Sequence, residues 1–133
     1  MLNDIVQPII QAIEHHWQRI GSLHQRGQVA GGDFRAASAE YCRVEIQGIV
    51  VPAYMEIVSS LEDTAEKVDA LGEAHRHLLK DLVLPLLDNE GSRTIAIEGA
   101  NRASQTVYQV VISQMATPPA PLPLIQDLNR VLL

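Results

Sequence analysis

The sequence is poor in residues that mark particular classes of protein, beginning with cysteine and the aromatic residues. It has one cysteine, and Phe, Trp and Tyr together make up 4% of its 133 residues. A single cysteine excludes an intrachain disulfide and fits a reducing compartment, which favours the cytoplasm. With so few aromatic side chains, we expect a core built from Ile, Val, Leu and Ala.

Basic charge is also scarce. Ten Lys and Arg residues stand against 16 Asp and Glu residues, giving a net charge of −6, and no basic cluster is larger than the pair Arg76 and Lys80. Nucleic acids and anionic membranes are bound by basic faces that displace counterions. We therefore expect neither a nucleic acid nor a membrane as a partner.

Long apolar runs and export signals are missing as well. The longest uncharged apolar run, residues 46–55, contains Gln, Gly and Pro. It is too short to cross a bilayer, which takes about 20 apolar residues. The first ten residues, MLNDIVQPII, are acidic where a secretory signal would be basic. Both observations favour a cytoplasmic protein.

Motifs of catalysis are lacking too. The sequence has no Gly-rich phosphate loop and no Walker motif. Its only thiol, Cys42, is predicted to be buried, where the pKa of a thiol rises and its nucleophilic form is disfavoured. We therefore predict that the protein is not an enzyme.

The pattern that dominates the sequence is the recurrence of apolar residues at spacings of three and four, typical of amphipathic helices. Four such segments with short connections predict an all-α, up-and-down four-helix bundle over residues 1–116. Their apolar stripes are Ile5, Ile9, Ile13, His16, Ile20 and Leu23; Ala39, Cys42, Ile46, Ile49, Ala53 and Ile57; Val68, Leu71, His75, Leu78, Leu82 and Leu86; and Ile97, Ala100, Ser104, Val107 and Val111.

Capping residues and prolines predict where these helices start and end. Pro52 is expected to kink the second helix, and Pro85 to bend or end the third, because proline cannot donate to the preceding turn. The residues expected to start the helices are Asn3 or Asp4, Asp33, Asp63 with Glu66 in a capping box, and the Gly91–Ser92 pair.

The last part of the chain is predicted to be a separate short element. Residues 117–123 read TPPAPLP, an extended linker. Residues 124–133, LIQDLNRVLL, form a short amphipathic helix whose leucines would be exposed unless they pack on the bundle or on a partner. This segment favours a homodimer or a protein partner bound through the C terminus. Packing on the protein's own bundle is the alternative.

Several polar residues lie on or beside the apolar stripes. Imidazole, thiolate and carboxylate are ligands of iron and zinc, and helical bundles build metal sites from facing helices. The candidate metal ligands are His16, Cys42, Glu45 and His75. The alternative is that each is a packing residue, because Cys behaves as a small hydrophobic residue and a core histidine can bond to a carbonyl.

Three segments resemble hemerythrin-like (HHE) domains. CRVEIQGIVVPAY, residues 42–54, is similar to that family's second helix, with Cys42 at a histidine position and Pro52 at its proline. KVDALGEAHRHLLKDLVLPL, residues 67–86, resembles the third helix, with His75 at a ligand position. IEHHWQRIGSLH, residues 13–24, resembles the first, where His15 or His16 matches.

The resemblance implies a four-helix bundle with a di-iron centre that binds oxygen or handles peroxide or nitric oxide. This sequence departs from that pattern, because Ile46 and Gln47 occupy the two glutamate positions and the fourth helix, EGANRASQTVYQVVISQM, has no histidine. The resemblance therefore implies a degenerate or lost iron site. Such a site would hold iron or zinc only vestigially, and the missing ligands favour the expectation that no metal is bound.

Two further functions stay open from the sequence. One is a non-catalytic bundle that works by protein interaction or oligomerisation. The other is a histidine phosphotransfer domain, because His77-Leu78-Leu79-Lys80 resembles the H-x-L-K core of that class. Asp81 follows where that class has glycine and small residues, and its charge would repel a phosphate.

Overall fold

The computed structural model of the protein describes residues 2–25 and 32–114. In these ranges it is an all-α bundle of four helices without strands, which confirms the predicted fold class. No helix within them has an apolar stretch of the length that would cross a membrane. The side chains of Leu23 and Asp33 and the C-terminal element of residues 117–133 lie outside the described part of the chain.

The helices run in the order that the sequence predicts. Their bounds are α1 Asn3–Gln25, α2 Gly32–Ser59, α3 Thr64–Arg76 and α4 Glu90–Ile112. Between α3 and α4 the chain continues as a π-helix, His77–Val83, and a 3-10 turn, Leu84–Leu86. The expectation that Pro85 ends the third helix is confirmed, because it lies in this final turn and Leu87 is extended. Pro52 lies inside α2, and the kink expected there stays a prediction.

Side-chain caps fix two of the helix starts. Asp63 accepts a hydrogen bond from the backbone N–H of Glu66 at 3.1 Å, as the predicted capping box requires. The start of α4 was predicted wrongly at Gly91–Ser92. Asn89 is the cap, since its side-chain oxygen accepts from the backbone N–H of Ser92 at 3.1 Å. Asn supplies the acceptor that glycine lacks, so the helix begins two residues earlier.

The most extensive helix packing is between α2 and α4, which are not consecutive in the chain. It depends on small residues: Ala96, Ala100 and Ala103 are buried here. A Cβ added at Gly99 would lie 2.7 Å from the Cβ of Ile46, so the two backbones approach more closely than any side chain at this position allows.

The buried face of α2 differs from the predicted stripe. Ile49 and Ile57 are only partly buried. The most buried residues follow a spacing of four, namely Cys42, Ile46, Val50, Tyr54 and Val58. Leu86, which the sequence placed on the apolar stripe of the third helix, lies in the 3-10 turn and is 59% exposed. The π-helix and the turn at Pro85 change the helical phase before Leu86, so Leu79 and Val83 are buried instead.

Candidate functional site

A chain of three polar side chains crosses the core. The Tyr54 hydroxyl lies 3.0 Å from Nδ1 of His75, and Nε2 of His75 lies 2.6 Å from Oδ1 of Asn101. An amide oxygen only accepts, so Nε2 carries the imidazole proton and donates it to Asn101. Nδ1 then accepts from the Tyr54 hydroxyl.

Burial keeps this chain of side chains neutral. It lowers the pKa of His75 to about 4, and the hydrogen bond to Asn101 opposes that change only in part. Burial also raises the pKa of Tyr54 well above its ordinary value. Both imidazole nitrogens are engaged, so a metal ion at His75 would have to displace Tyr54 or Asn101.

The thiol of Cys42 is also engaged. It is 1% exposed, and Sγ donates to the backbone carbonyl of Ala12 at 3.5 Å. Burial, with a smaller contribution from the charge of Glu45, raises the pKa of Cys42 to about 11. At neutral pH the group is therefore a thiol, whereas metal ligation and nucleophilic attack both need the thiolate.

The four predicted ligands lie at different levels of the bundle. Cys42 contacts α1 at Ala12, one turn from His16. His75 instead contacts α2 at Tyr54, which follows Cys42 by twelve residues. Twelve residues of helix rise about 18 Å, whereas ligands of one metal ion lie within a few ångströms of each other. The structure thus brings His16 and Cys42 to the same helix interface and places His75 at another level.

Glu45, the fourth predicted ligand, lies at the edge of the core. It is partly buried and accepts a hydrogen bond from the Tyr41 hydroxyl, which raises the pKa of that tyrosine. Across residues 2–25 and 32–114, no three side chains among His, Cys, Asp and Glu are grouped so that they could hold a metal ion.

A cleft opens between α1, α2 and the start of α4. Its volume is about 630 Å³. Its lining residues are His16, Trp17, Ile20, Ala39, Arg43, Glu90, Gly91, Thr94 and Ile95. The Trp17 indole N–H donates to Ser92 Oγ at 2.6 Å and so ties α1 to α4. Trp17 also packs edge-on against His16, with ring centroids 4.7 Å apart.

Two buried polar atoms of the cleft residues have no hydrogen-bond partner within residues 2–25 and 32–114: Nδ1 of His16 and Nε of Arg43. Burial lowers the pKa of His16, while a hydrogen bond to the Ser38 carbonyl opposes this and the charge of Arg43 adds to it. A carbonyl only accepts, so the imidazole proton lies on Nε2 and Nδ1 has a free lone pair. The sequence indicated His16 as inward-pointing, but it gave no signal for Arg43 beyond its position next to Cys42.

Carboxylates compensate the guanidinium charge of Arg43. Nη2 donates to Glu98 at 3.2 Å, and Nη1 lies 3.6 Å from Glu40. Glu40 also accepts from Nη2 of Arg102 at 2.8 Å, and this pairing lowers the pKa of Glu40. These contacts join α2 to α4 along the side of the cleft.

A second apolar stripe runs along α2 on the side that faces away from the core. We call it the outer α2 stripe, and its residues are Ala37, Tyr41, Val44, Gly48, Val51 and Met55, of which Val51 and Met55 are partly buried and also pack against the core. Tyr41 is 52% exposed and Val44 is 53% exposed, and a Cβ added at Gly48 would meet nothing within 4 Å. The sequence analysis missed this stripe because it assigned one apolar face to each helix.

The histidine of the predicted phosphotransfer motif lies on the surface. His77 is exposed at the start of the π-helix, and its Nδ1 lies 3.2 Å from Oδ2 of Asp81. The carboxylate expected to repel a phosphate is therefore in direct contact with the imidazole that would receive it.

Comparisons of the chain with protein-family models, with curated proteins and with solved structures find no match. The resemblance to hemerythrin-like domains accordingly stays a prediction.

Proposed function

We propose that the protein is a non-catalytic helical bundle that works by association, and that its partner is a second copy of the same chain bound along the outer α2 stripe. The observation that carries this proposal is that α2 is apolar on two opposite sides. Its inner face packs on α1, α3 and α4. A surface helix normally presents polar residues on its other side.

The spacing of the outer α2 stripe supports a helical partner. Its six residues are separated alternately by four and three positions, the a and d pattern of a coiled coil. The 19 residues from Ala37 to Met55 extend about 27 Å along the helix. Gly48 lies in the middle of the stripe and would let a second helix approach closely.

A second copy fits this stripe because a twofold interface uses the same surface patch on both subunits. The outer α2 stripe of one copy would therefore contact the outer α2 stripe of the other. Glu40, which lies beside the stripe, is paired with the guanidinium of Arg102 within its own bundle. Its charge therefore opposes self-association less than a free carboxylate would.

The test compares variants of the full chain by size-exclusion chromatography with light scattering. We expect Val44→Glu to convert a dimer to a monomer, because it places a charge within the apolar stripe. Val110→Glu is the matched control, since Val110 is 39% exposed on α4 and outside the stripe. Unchanged folding of both variants is checked by circular dichroism.

The sequence predicts an alternative interface through the C-terminal segment. A third variant distinguishes that interface from the outer α2 stripe. A chain that lacks residues 121–133 should remain dimeric if the outer α2 stripe forms the contact. If this deletion produces monomers while Val44→Glu remains dimeric, the partner is bound through the C-terminal segment and the proposal for α2 is wrong.

The second candidate is the hemerythrin-like bundle with a vestigial metal site. The observation in its favour is that Cys42 contacts α1 at Ala12, one turn from His16. Under our proposal these residues, with Glu45 and His75, serve packing. Plasma mass spectrometry of untagged protein should then find less than about a tenth of an equivalent of iron or zinc. Near-stoichiometric metal that is lost when His16 or Cys42 is replaced would establish the second candidate instead.

A further inference from the structure

The cleft between α1, α2 and α4 has the size and lining of a small-molecule site. Its volume is about 630 Å³, within the range of roughly 300 to 1,000 Å³ typical of ligand pockets. Trp17, Ile20 and Ile95 give it an aromatic and aliphatic wall. This cleft is separate from the outer α2 stripe and does not depend on self-association.

The two buried atoms without a partner among the described residues belong to side chains that line the cleft, and they are chemically complementary. Nδ1 of His16 can only accept, because the imidazole proton is donated to the Ser38 carbonyl. Nε of Arg43 can only donate. His16 is 5% exposed, and a buried polar atom without a partner destabilises a protein. A ligand that offers one donor and one acceptor would relieve both.

The charge of the cleft favours a neutral ligand. Burial lowers the pKa of His16, so the imidazole is neutral at pH 7. The guanidinium of Arg43 is compensated by Glu98 and Glu40, and Glu90 adds a further carboxylate at the rim. An anion would meet these carboxylates with no uncompensated cation to bind it.

We propose that this cleft binds a neutral apolar molecule with a primary carboxamide at one end. The amide oxygen accepts from Nε of Arg43, the amide N–H donates to Nδ1 of His16, and the apolar body lies against Trp17 and Ile95. The Trp17 ring packs edge-on against His16 and is itself 40% exposed, and in this proposal the ligand reaches the imidazole by displacing that ring.

The test uses the emission of Trp17, the only tryptophan in the chain. The full-length protein is titrated with 4-tert-butylbenzamide and, separately, with its N,N-dimethyl derivative, which has no N–H. We expect a saturable change in Trp17 emission with the primary amide. The dimethyl amide should bind about tenfold more weakly, because it leaves Nδ1 of His16 without a donor.

Variants locate the binding. His16→Leu should weaken binding of the primary amide about tenfold and abolish the preference over the dimethyl amide. His15→Leu, a change at the exposed neighbouring histidine, should leave both affinities unchanged. Thr94→Phe fills the cleft from an exposed position on α4 and should eliminate binding while the helical circular dichroism is retained.

Three results would overturn the proposal. The first is the absence of a saturable change in Trp17 emission up to the solubility limit of the amide. The second is equal affinity for the two amides, and the third is an unchanged affinity in the folded Thr94→Phe variant.

Discussion

His75 illustrates at the scale of single residues how a polar group is accommodated in an aliphatic core. It is fully buried and neutral, and each ring nitrogen has one partner, Tyr54 on α2 and Asn101 on α4. The three side chains connect three helices at one level of the bundle. They favour one arrangement of those helices, because any shift would leave buried polar atoms without partners.

The lowered pKa of His75 predicts a loss of stability in acid. The imidazole titrates near 6.5 in the unfolded chain and near 4 in the folded protein. Between these values the unfolded chain binds more protons, so the free energy of unfolding falls as the pH drops from 6.5. By pH 4 the loss due to His75 is about 3 kcal/mol. Urea unfolding at pH 7 and pH 4 measures it.

His75→Gln is the comparison for that experiment, since it cannot titrate. The variant starts from a lower stability at pH 7, because it cannot reproduce both hydrogen bonds. Between pH 7 and pH 4 the free energy of unfolding of His75→Gln should fall by about 3 kcal/mol less than that of the unmodified protein. Equal declines would show that His75 is not held neutral in the folded state.

Tyr54→Phe isolates the hydroxyl of the same network. It removes the donor to Nδ1 of His75 and leaves that nitrogen buried and unpaired. We expect the free energy of unfolding to fall by about 1–3 kcal/mol. Val110→Ala, at an exposed position outside the outer α2 stripe, should change it by less than about 0.5 kcal/mol. Similar stabilities for the two variants would contradict the hydrogen-bonding role of Tyr54.

At this scale the sequence predicted which polar residues point inward but not what they contact. His16, Cys42 and His75 are all buried, as their places on the apolar stripes indicated. The partners of His75 are 21 and 26 residues away along the chain, on other helices. Helical periodicity predicts which face of a helix a side chain lies on. It does not predict the level along the bundle at which residues of two helices meet, because that depends on how the helices pack.

Among the elements, the pair α2 and α4 determines how the bundle packs. Gly99 allows the contact, because an added Cβ would lie 2.7 Å from the Cβ of Ile46 and 3.2 Å from the backbone oxygen of Arg43. Glycine is a poor helix former, costing about 1 kcal/mol relative to alanine. Its place in the middle of α4 is therefore explained by the approach of α2.

Gly99→Ala should accordingly destabilise the protein in spite of the better helix propensity of alanine. We expect a net loss of about 1–3 kcal/mol from overpacking against Ile46. Gly21→Ala is the matched control, because an added Cβ there meets nothing within 4 Å and should stabilise α1 by up to about 1 kcal/mol. Thermal or urea unfolding of both variants gives the comparison, and stabilisation by Gly99→Ala would refute the close approach of the helices.

The helix boundaries separate what local sequence decides from what it does not. Asp63 was identified as a cap because aspartate precedes a helical pattern with Glu66 three positions later. The cap of α4 was missed because the Gly91–Ser92 pair is the more conspicuous signal, whereas Asn89 forms the bond. The π-helix after α3 has no sequence signature, and it moved Leu86 out of the core.

At the scale of the whole molecule, the central feature is that α2 is apolar on two sides. Periodicity could not identify its core face, because apolar residues occur around most of the helix. The structure separates an inner face that includes Ile46 and Val50 from an outer stripe that includes Tyr41 and Val44. Exposed apolar patches of this kind commonly mark interaction sites.

Self-association along the outer α2 stripe is tested most directly by sedimentation equilibrium over a range of concentrations. The full-length protein and its Val44→Glu variant are measured under the same conditions. The account predicts a species with twice the 14.6 kDa mass of the chain for the unmodified protein. Val44→Glu should give the monomer mass under the same conditions. A monomer mass for the unmodified protein at every concentration, or a dimer that persists in Val44→Glu, would contradict the central claim.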